Sequence, residues 1–343
     1  MKSPSPERER RPLVVRQPGD LVTLLPYLLG FEPADSLVLL VLRDQEVHLT
    51  VRFDLATAID RPDTVGDFLI DVQGSVAPSA IRACAVVYAP RPAAAAAWRA
   101  VAPALAGWID LALSVDGRRW WPADAPPGQP GRLKPRHSPL EAAAVWSGLS
   151  VADSRQALAD RLAAPVSERE DELLGLRLEA MAELAEWSGA AAVDWLNALV
   201  ARTGQGQPLS DQDCLRAGLL IEQAEVRDQL WRGLDVDGAP AQVRLWSEVV
   251  RRCVAGQRVL PLCVLAIVAW QAGQGALLSI CHEQAAALDP GFPLVGLLDT
   301  IRDQRLPPAS WRRSIQAAER SGLIQPGPPN RPAGEVDPAP EQF

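Results

Sequence analysis

Three groups of side chains have the types and spacing to do chemistry. His48, Arg52 and Asp54 fall at even intervals within Val47–Asp54, so an extended chain would set them on one side. An arginine placed there would hold an anion, and a histidine would serve as acid or base. Asp35 and Ser36 lie just upstream, closing the turn Gly30-Phe31-Glu32-Pro33-Ala34-Asp35-Ser36, where they would stand at a ligand mouth above the next strand. Arg118, Arg119, Trp120 and Trp121 form the third group, cationic and aromatic together, suited to stacking or to anchoring a protein partner.

Each group also has a plainer reading. Gly30 permits a left-handed helix stop, Pro33 stiffens the turn, and Asp35 or Ser36 can bind nearby amides, which is what a helix-to-strand corner needs. His48, Arg52 and Asp54 would equally be the solvated side of a half-buried strand. One tryptophan of the third group would plug a junction while the arginines stay wet. Ser36, His48 and Asp54 do not make a nucleophile triad, because there is no Gly-x-Ser-x-Gly elbow and Ser36 heads its strand.

Other chemistries find no pattern. His282-Glu283 lacks the second histidine of a zinc motif, and the five cysteines, at 84, 214, 253, 263 and 281, form no CxxC pair. No metal is expected, and the cysteines read mostly as small buried hydrophobes of a reducing compartment. No phosphate loop or dinucleotide glycine fingerprint occurs, so no cofactor is expected either. The glycines at 204–208 and 273–275 mark turns between helices.

The elements that must position these groups follow from periodicity. Asp20 would cap a helix over residues 21–29, with Leu21, Leu24, Leu25 and Leu28 on one face, an internal Pro26 that should kink it, and Gly30 at its stop. Ser36–Leu42 is a continuous apolar run, as for a strand covered on both faces. A short turn leads to Val47–Asp54, where Val47, Leu49, Val51 and Phe53 alternate with polar residues. A helix around 64–76, a buried strand at 83–89 and a helix opened by Pro92 come next. Two strands about Asp116-Gly117 complete the series.

This order predicts an α+β protein: a mixed α/β layer domain with a mixed sheet over residues 13–121, followed by an all-α helical domain over residues 140–321. Residues 122–139, with six prolines, read as a linker, residues 1–12 as a disordered lead and 322–343 as a disordered tail. In the helical part, Leu174, Leu178, Met181 and Ala185 share one helical face, and Trp246, Val249, Val250 and Cys253 another. Residues 261–290 look like one tetratricopeptide-type hairpin, but a solenoid needs about three such units and one clear copy is present, so a helical hairpin packed in an ordinary bundle is the favoured reading.

A net charge of −8 argues against a general nucleic-acid binder. The amino terminus has no secretory apolar core, and the longest apolar run, 259–270, is too short to span a bilayer. A soluble cytoplasmic protein is expected, with no membrane partner. Lys2 and Lys134 are the only lysines against many arginines, the mark of a GC-rich genome.

Residues 13–55 resemble the start of the actinobacterial domain of unknown function family 4192, in the leucine-rich helix and in Gly30, Phe31, Pro33, Ser36 and Leu37. The hairpin from Asp116 to Trp121 and the late segment from Pro261 through Asp289-Pro290-Gly291-Phe292 to Trp311 resemble two further family blocks. Relatives often carry a cysteine in the Pro/Gly-rich segment after the paired tryptophans. This chain has none there, so no metal or redox role passes to that loop. The resemblance implies no activity.

The first functional reading is an interaction or scaffolding protein, with a protein partner at the helical domain and at Arg118, Arg119, Trp120 and Trp121. The alternative is a small-molecule enzyme or ligand sensor, its ligand unidentified, with its site near Asp35, Ser36, His48 and Arg52.

Overall fold

The computed structural model describes residues 13–321, apart from 77–78, 136, 147–148, 236–237, 304–305, 307 and 309. The expected lead at 1–12 and tail at 322–343 lie outside the described residues. The chain is α+β, with a mixed sheet in its first part and helices through the rest.

Helix α1 (Pro18–Leu29) starts earlier than its sequence signal suggests. Pro18 opens it, since proline's fixed φ suits a first turn whose N–H groups need no partner. Asp20 therefore sits one turn in rather than at the cap, and its carboxylate accepts from the Arg16 and Gln17 amides at 2.9 and 3.2 Å. Gly30 ends the helix at φ 81°, and its amide donates to Pro26 at 2.8 Å.

Strands β1 (Ser36–Arg43) and β2 (Glu46–Asp54) form an antiparallel hairpin, with Asp44 and Gln45 both at positive φ in its two-residue turn. Two helices, α2 (Leu55–Asp60) and α3 (Pro62–Val76), lead to β3 (Ile81–Tyr88). Helix α4 (Arg91–Val101) crosses over to β4 (Ile109–Asp116), parallel to β3, and β5 (Arg119–Pro122) returns antiparallel. A two-residue strand, β6 (Arg132–Leu133), then pairs with β5 and completes the order β2-β1-β3-β4-β5-β6. Residues 122–139 thus return to the sheet instead of only leaving it.

The continuous apolar run of β1 is explained by cover on both faces. Leu37, Leu39 and Val41 pack with Ala85 and Val87 against Phe68, Leu69, Ala94 and Ala97 of α3 and α4. Val38 and Leu40 pack with Val86, Leu113 and Trp120 against Leu21, Leu25 and Leu29 of α1.

The remaining chain is helical: α5 (Pro139–Trp146), α6 (Arg155–Asp160), α7 (Ser167–Leu184), α8 (Gly189–Gly204), α9 (Asp211–Leu220) and α10 (Ala224–Gly233). Then follow α11 (Ala239–Arg252), α12 (Val259–Gln271), α13 (Gly275–Leu288), α14 (Pro293–Asp303) and α15 (Ser310–Arg320). Helix α12 is the axis of the bundle, buried all round from Pro261 to Gln271. The hairpin α12–α13 turns at Gly273, φ 73°, and packs inside this bundle, with α11 also lying along α12. Trp231, Trp270 and Trp311 meet edge to face at 5.7 and 6.0 Å and dock α15.

The α11 face of Trp246, Val249, Val250 and Cys253 is buried as its spacing predicts. The α7 face is not. Leu173, Arg177, Ala180 and Leu184 turn inward against α9, while Leu174, Leu178 and Met181 are exposed. Arg177, on that inward face, is buried and pairs with Glu222 at 3.2 Å.

Candidate functional site

The Gly30–Ser36 turn is a joint between three parts of the molecule. The Glu32 amide donates to Ala152 at 2.9 Å and the Ala152 amide donates back to Gly30 at 2.8 Å, tying the turn to the chain before α6. Glu32 pairs with Lys134, beyond β6, at 3.0 Å. The Asp35 carbonyl accepts from the Leu55 amide at 3.0 Å, and Asp35 takes φ 43°, a conformation that aspartate tolerates. Its backbone conformation and its amide contact serve the corner.

Ser36 and Arg52 are brought together. Ser36 is fully buried; its hydroxyl donates to the Ala34 carbonyl at 2.5 Å and accepts from Arg52 Nε at 2.7 Å. Arg52 Nη2 lies 3.8 Å from Asp54. Burial lowers the Arg52 guanidinium from its ordinary value and nearby Arg155 adds to that, while Asp54 and Asp35 oppose it.

His48 is set apart from that pair. The β1–β2 register runs from Val41–Leu49 to Leu42–Val47, leaving His48 as the extra residue of a bulge. The expected alternation is broken there, and Val47 is exposed. Burial, then Arg43, holds the His48 imidazole below its usual value. The side of β2 that includes Thr50 is approached by α13, where a methyl on Gly275 would lie 3.6 Å from the Thr50 carbonyl.

Ser36 and Trp120 share one row across the sheet. In register, Asp54, Ser36, Tyr88, Val115, Trp120 and Arg132 span all six strands. Trp120 and Trp121 are only 5% and 7% exposed. Trp120 packs under Gly19 of α1, and Arg132 lies 5.1 Å over its ring. Trp121 donates from Nε1 to the Gln129 carbonyl at 2.9 Å, with Arg91 stacked 4.9 Å over it. Arg118 and Arg119 are exposed. The indoles hold the 122–133 segment and α1 to the sheet.

A separate concavity lies elsewhere. A half-open cleft of about 960 Å³ separates the end of α1 from the polar side of α11, and Tyr27, Gly30, Arg161, Arg244, Ser247 and Gln274 are among its walls. None of Asp35, Ser36, His48, Arg52 or the Arg118–Trp121 group lines it. Its residues come from distant segments of helix and loop, and apart from Gly30 of the family turn no local motif signals them.

All five cysteines are free, four of them buried. Burial raises the thiols, Cys84 to about 11 and Cys214, Cys253 and Cys263 to about 12. Among the described residues no cluster of histidine, cysteine and carboxylates could hold a metal ion, and no helix is long and apolar enough to cross a membrane.

The turn, the tryptophan hairpin and the helical hairpin are the blocks by which a family would be known. The family model described as Domain of unknown function (DUF4192) matches residues 18–309. The chain belongs to this family. The DUF4192 match begins at the first residue of α1 and runs through the sheet to the residue before α15, so both parts of the fold are family features. No curated protein and no solved structure matches the chain.

Proposed function

We propose that this is a cytoplasmic interaction protein of an actinobacterium, which docks a basic amphipathic helix of a partner on the outer face of α7. One observation carries the reading. Leu174, Leu178 and Met181 are 44%, 60% and 47% exposed and follow one another at helical spacing, while the same helix buries a separate face. Covering the rest of these side chains would contribute about 3 kcal/mol, the scale of a small docking site.

Charge supports the class of partner. By helical geometry Glu170 and Asp171 stand beside the start of the stripe, and α7 carries Glu168, Glu172, Glu179 and Glu183 besides. A second copy of so acidic a helix would be repelled, whereas a helix with apolar anchors and an arginine or lysine rim is complemented. The free thiols support a reducing compartment, and the arginine-for-lysine composition supports a GC-rich actinobacterial source.

A small-molecule site at Asp35, Ser36, His48 and Arg52 has less support. The Ser36 hydroxyl is engaged twice, Arg52 is held beside it, and His48 stands off on its bulge. The docking reading is tested by placing a photo-crosslinker at Leu178 in the native host and mapping the joined peptide. A recurring basic amphipathic segment supports the proposal; crosslinks scattered over unrelated acidic or unstructured peptides refute it.

A further inference from the structure

The cleft between α1 and α11 carries an inference that does not depend on α7. Its volume, about 960 Å³, is that of a site for a metabolite-sized molecule. Part of its lining is apolar, with Leu158, Leu162, Val243 and Leu277. The charged part is unequally satisfied. Glu248 is taken by Arg251 at 2.9 Å and by Arg252, and Asp160 accepts from Gln156 Nε2 at 2.8 Å.

The cations facing them are not matched in the same way. Among the described residues Arg161 reaches only the Val151 carbonyl, at 3.4 Å, and Arg244 only the Gly204 carbonyl, at 3.3 Å. Neither contact is to a carboxylate among the described residues. A guanidinium offers five N–H donors in a fixed fork that suits carboxylate and phosphate, so most of that capacity is open here. With Arg251, three arginines face Asp160 and Glu248 in this lining, so the cleft is net positive in a chain of net charge −8.

We propose that this cleft binds a small amphipathic anion, its carboxylate or phosphate held by Arg161 and Arg244 and its apolar body against Leu158, Leu162, Val243 and Leu277. The family turn takes part through Gly30. A side chain at Gly30 would start 3.4 Å from Leu158, and φ 81° already disfavours one.

Anilinonaphthalene sulfonate, an anion on an apolar body, is a direct probe. Titrated by fluorescence into the full chain, it should bind at one saturable site and be displaced by octanoate or octyl phosphate more readily than by inorganic phosphate. Arg161→Gln with Arg244→Gln should weaken it at least tenfold, and Arg244→Lys, which keeps the charge and loses the fork, should weaken it less than Arg244→Gln. Leu178→Glu should change nothing. Circular dichroism and melting of each variant separate lost binding from lost fold. Unchanged affinity in the double glutamine variant overturns the proposal. So does equal binding of neutral phenylnaphthylamine, or loss of the probe on Leu178→Glu, which would place it on α7.

Discussion

Arg52 Nε donates to Ser36 Oγ across 2.7 Å, one strand over from the point where the Gly30–Ser36 turn becomes β1. The bond joins a half-buried guanidinium to a hydroxyl with no exposure. Ser36→Ala would leave Arg52 Nε without this acceptor, and Arg52→Ala would leave a buried hydroxyl with one contact fewer. Each should cost about 1–2 kcal/mol. The two together should cost less than their sum, since they remove one shared interaction. Urea melts of the two single variants and the double variant measure this. Strict additivity would show that the contact contributes nothing.

Trp121 should behave as core. Trp121→Ala should destabilise by about 3–5 kcal/mol through lost packing. Gly131→Ala should also be costly, because the added carbon would sit 2.4 Å from the Trp121 ring. Thermal melts check both. A Trp121→Ala variant of wild-type stability would free this indole for a partner.

His48 should make stability fall with acid. Its imidazole titrates below the ordinary 6.5 when folded, so the unfolded chain binds the proton first. Above 6.5 both states are neutral and His48 has no effect. As the pH drops through 6.5 towards the lower folded value, stability is lost, and below that value the loss levels off. His48→Gln should flatten that part of a stability-against-pH curve. A curve of unchanged slope would show that His48 titrates as it does unfolded.

What the sequence reveals follows the range of the forces involved. β1, the Asp116-Gly117 turn and the Gly30 stop depend on neighbours within a few residues, and each is where the local pattern puts it. Helix α7 offers two apolar stripes side by side, and the one buried, Leu173, Ala180 and Leu184, is the one that packs against α9, with Arg177 paired to Glu222 just beyond it. Nothing within α7 reports that. Strand β6 is two residues long and is defined only by its partner β5, so a proline-rich segment hides it. The pairing of Ser36 with Arg52 was implicit in their strands, whereas the bulge at His48 was not. Arg161 and Arg244 come from elements far apart in the chain and line one cleft only once the helices have packed.

The central claim is that α7 carries the docking face, and calorimetric titration of the crosslinked partner segment tests it most directly. Leu178→Glu with Met181→Glu should weaken binding at least tenfold while melting within about 0.5 kcal/mol of wild type, both positions being exposed. Leu288→Glu, at a residue 51% exposed on α13, should leave the affinity unchanged. Binding should also weaken as salt is raised, as the acidic border requires. Equal affinity for the wild-type chain and the α7 double variant would contradict the account.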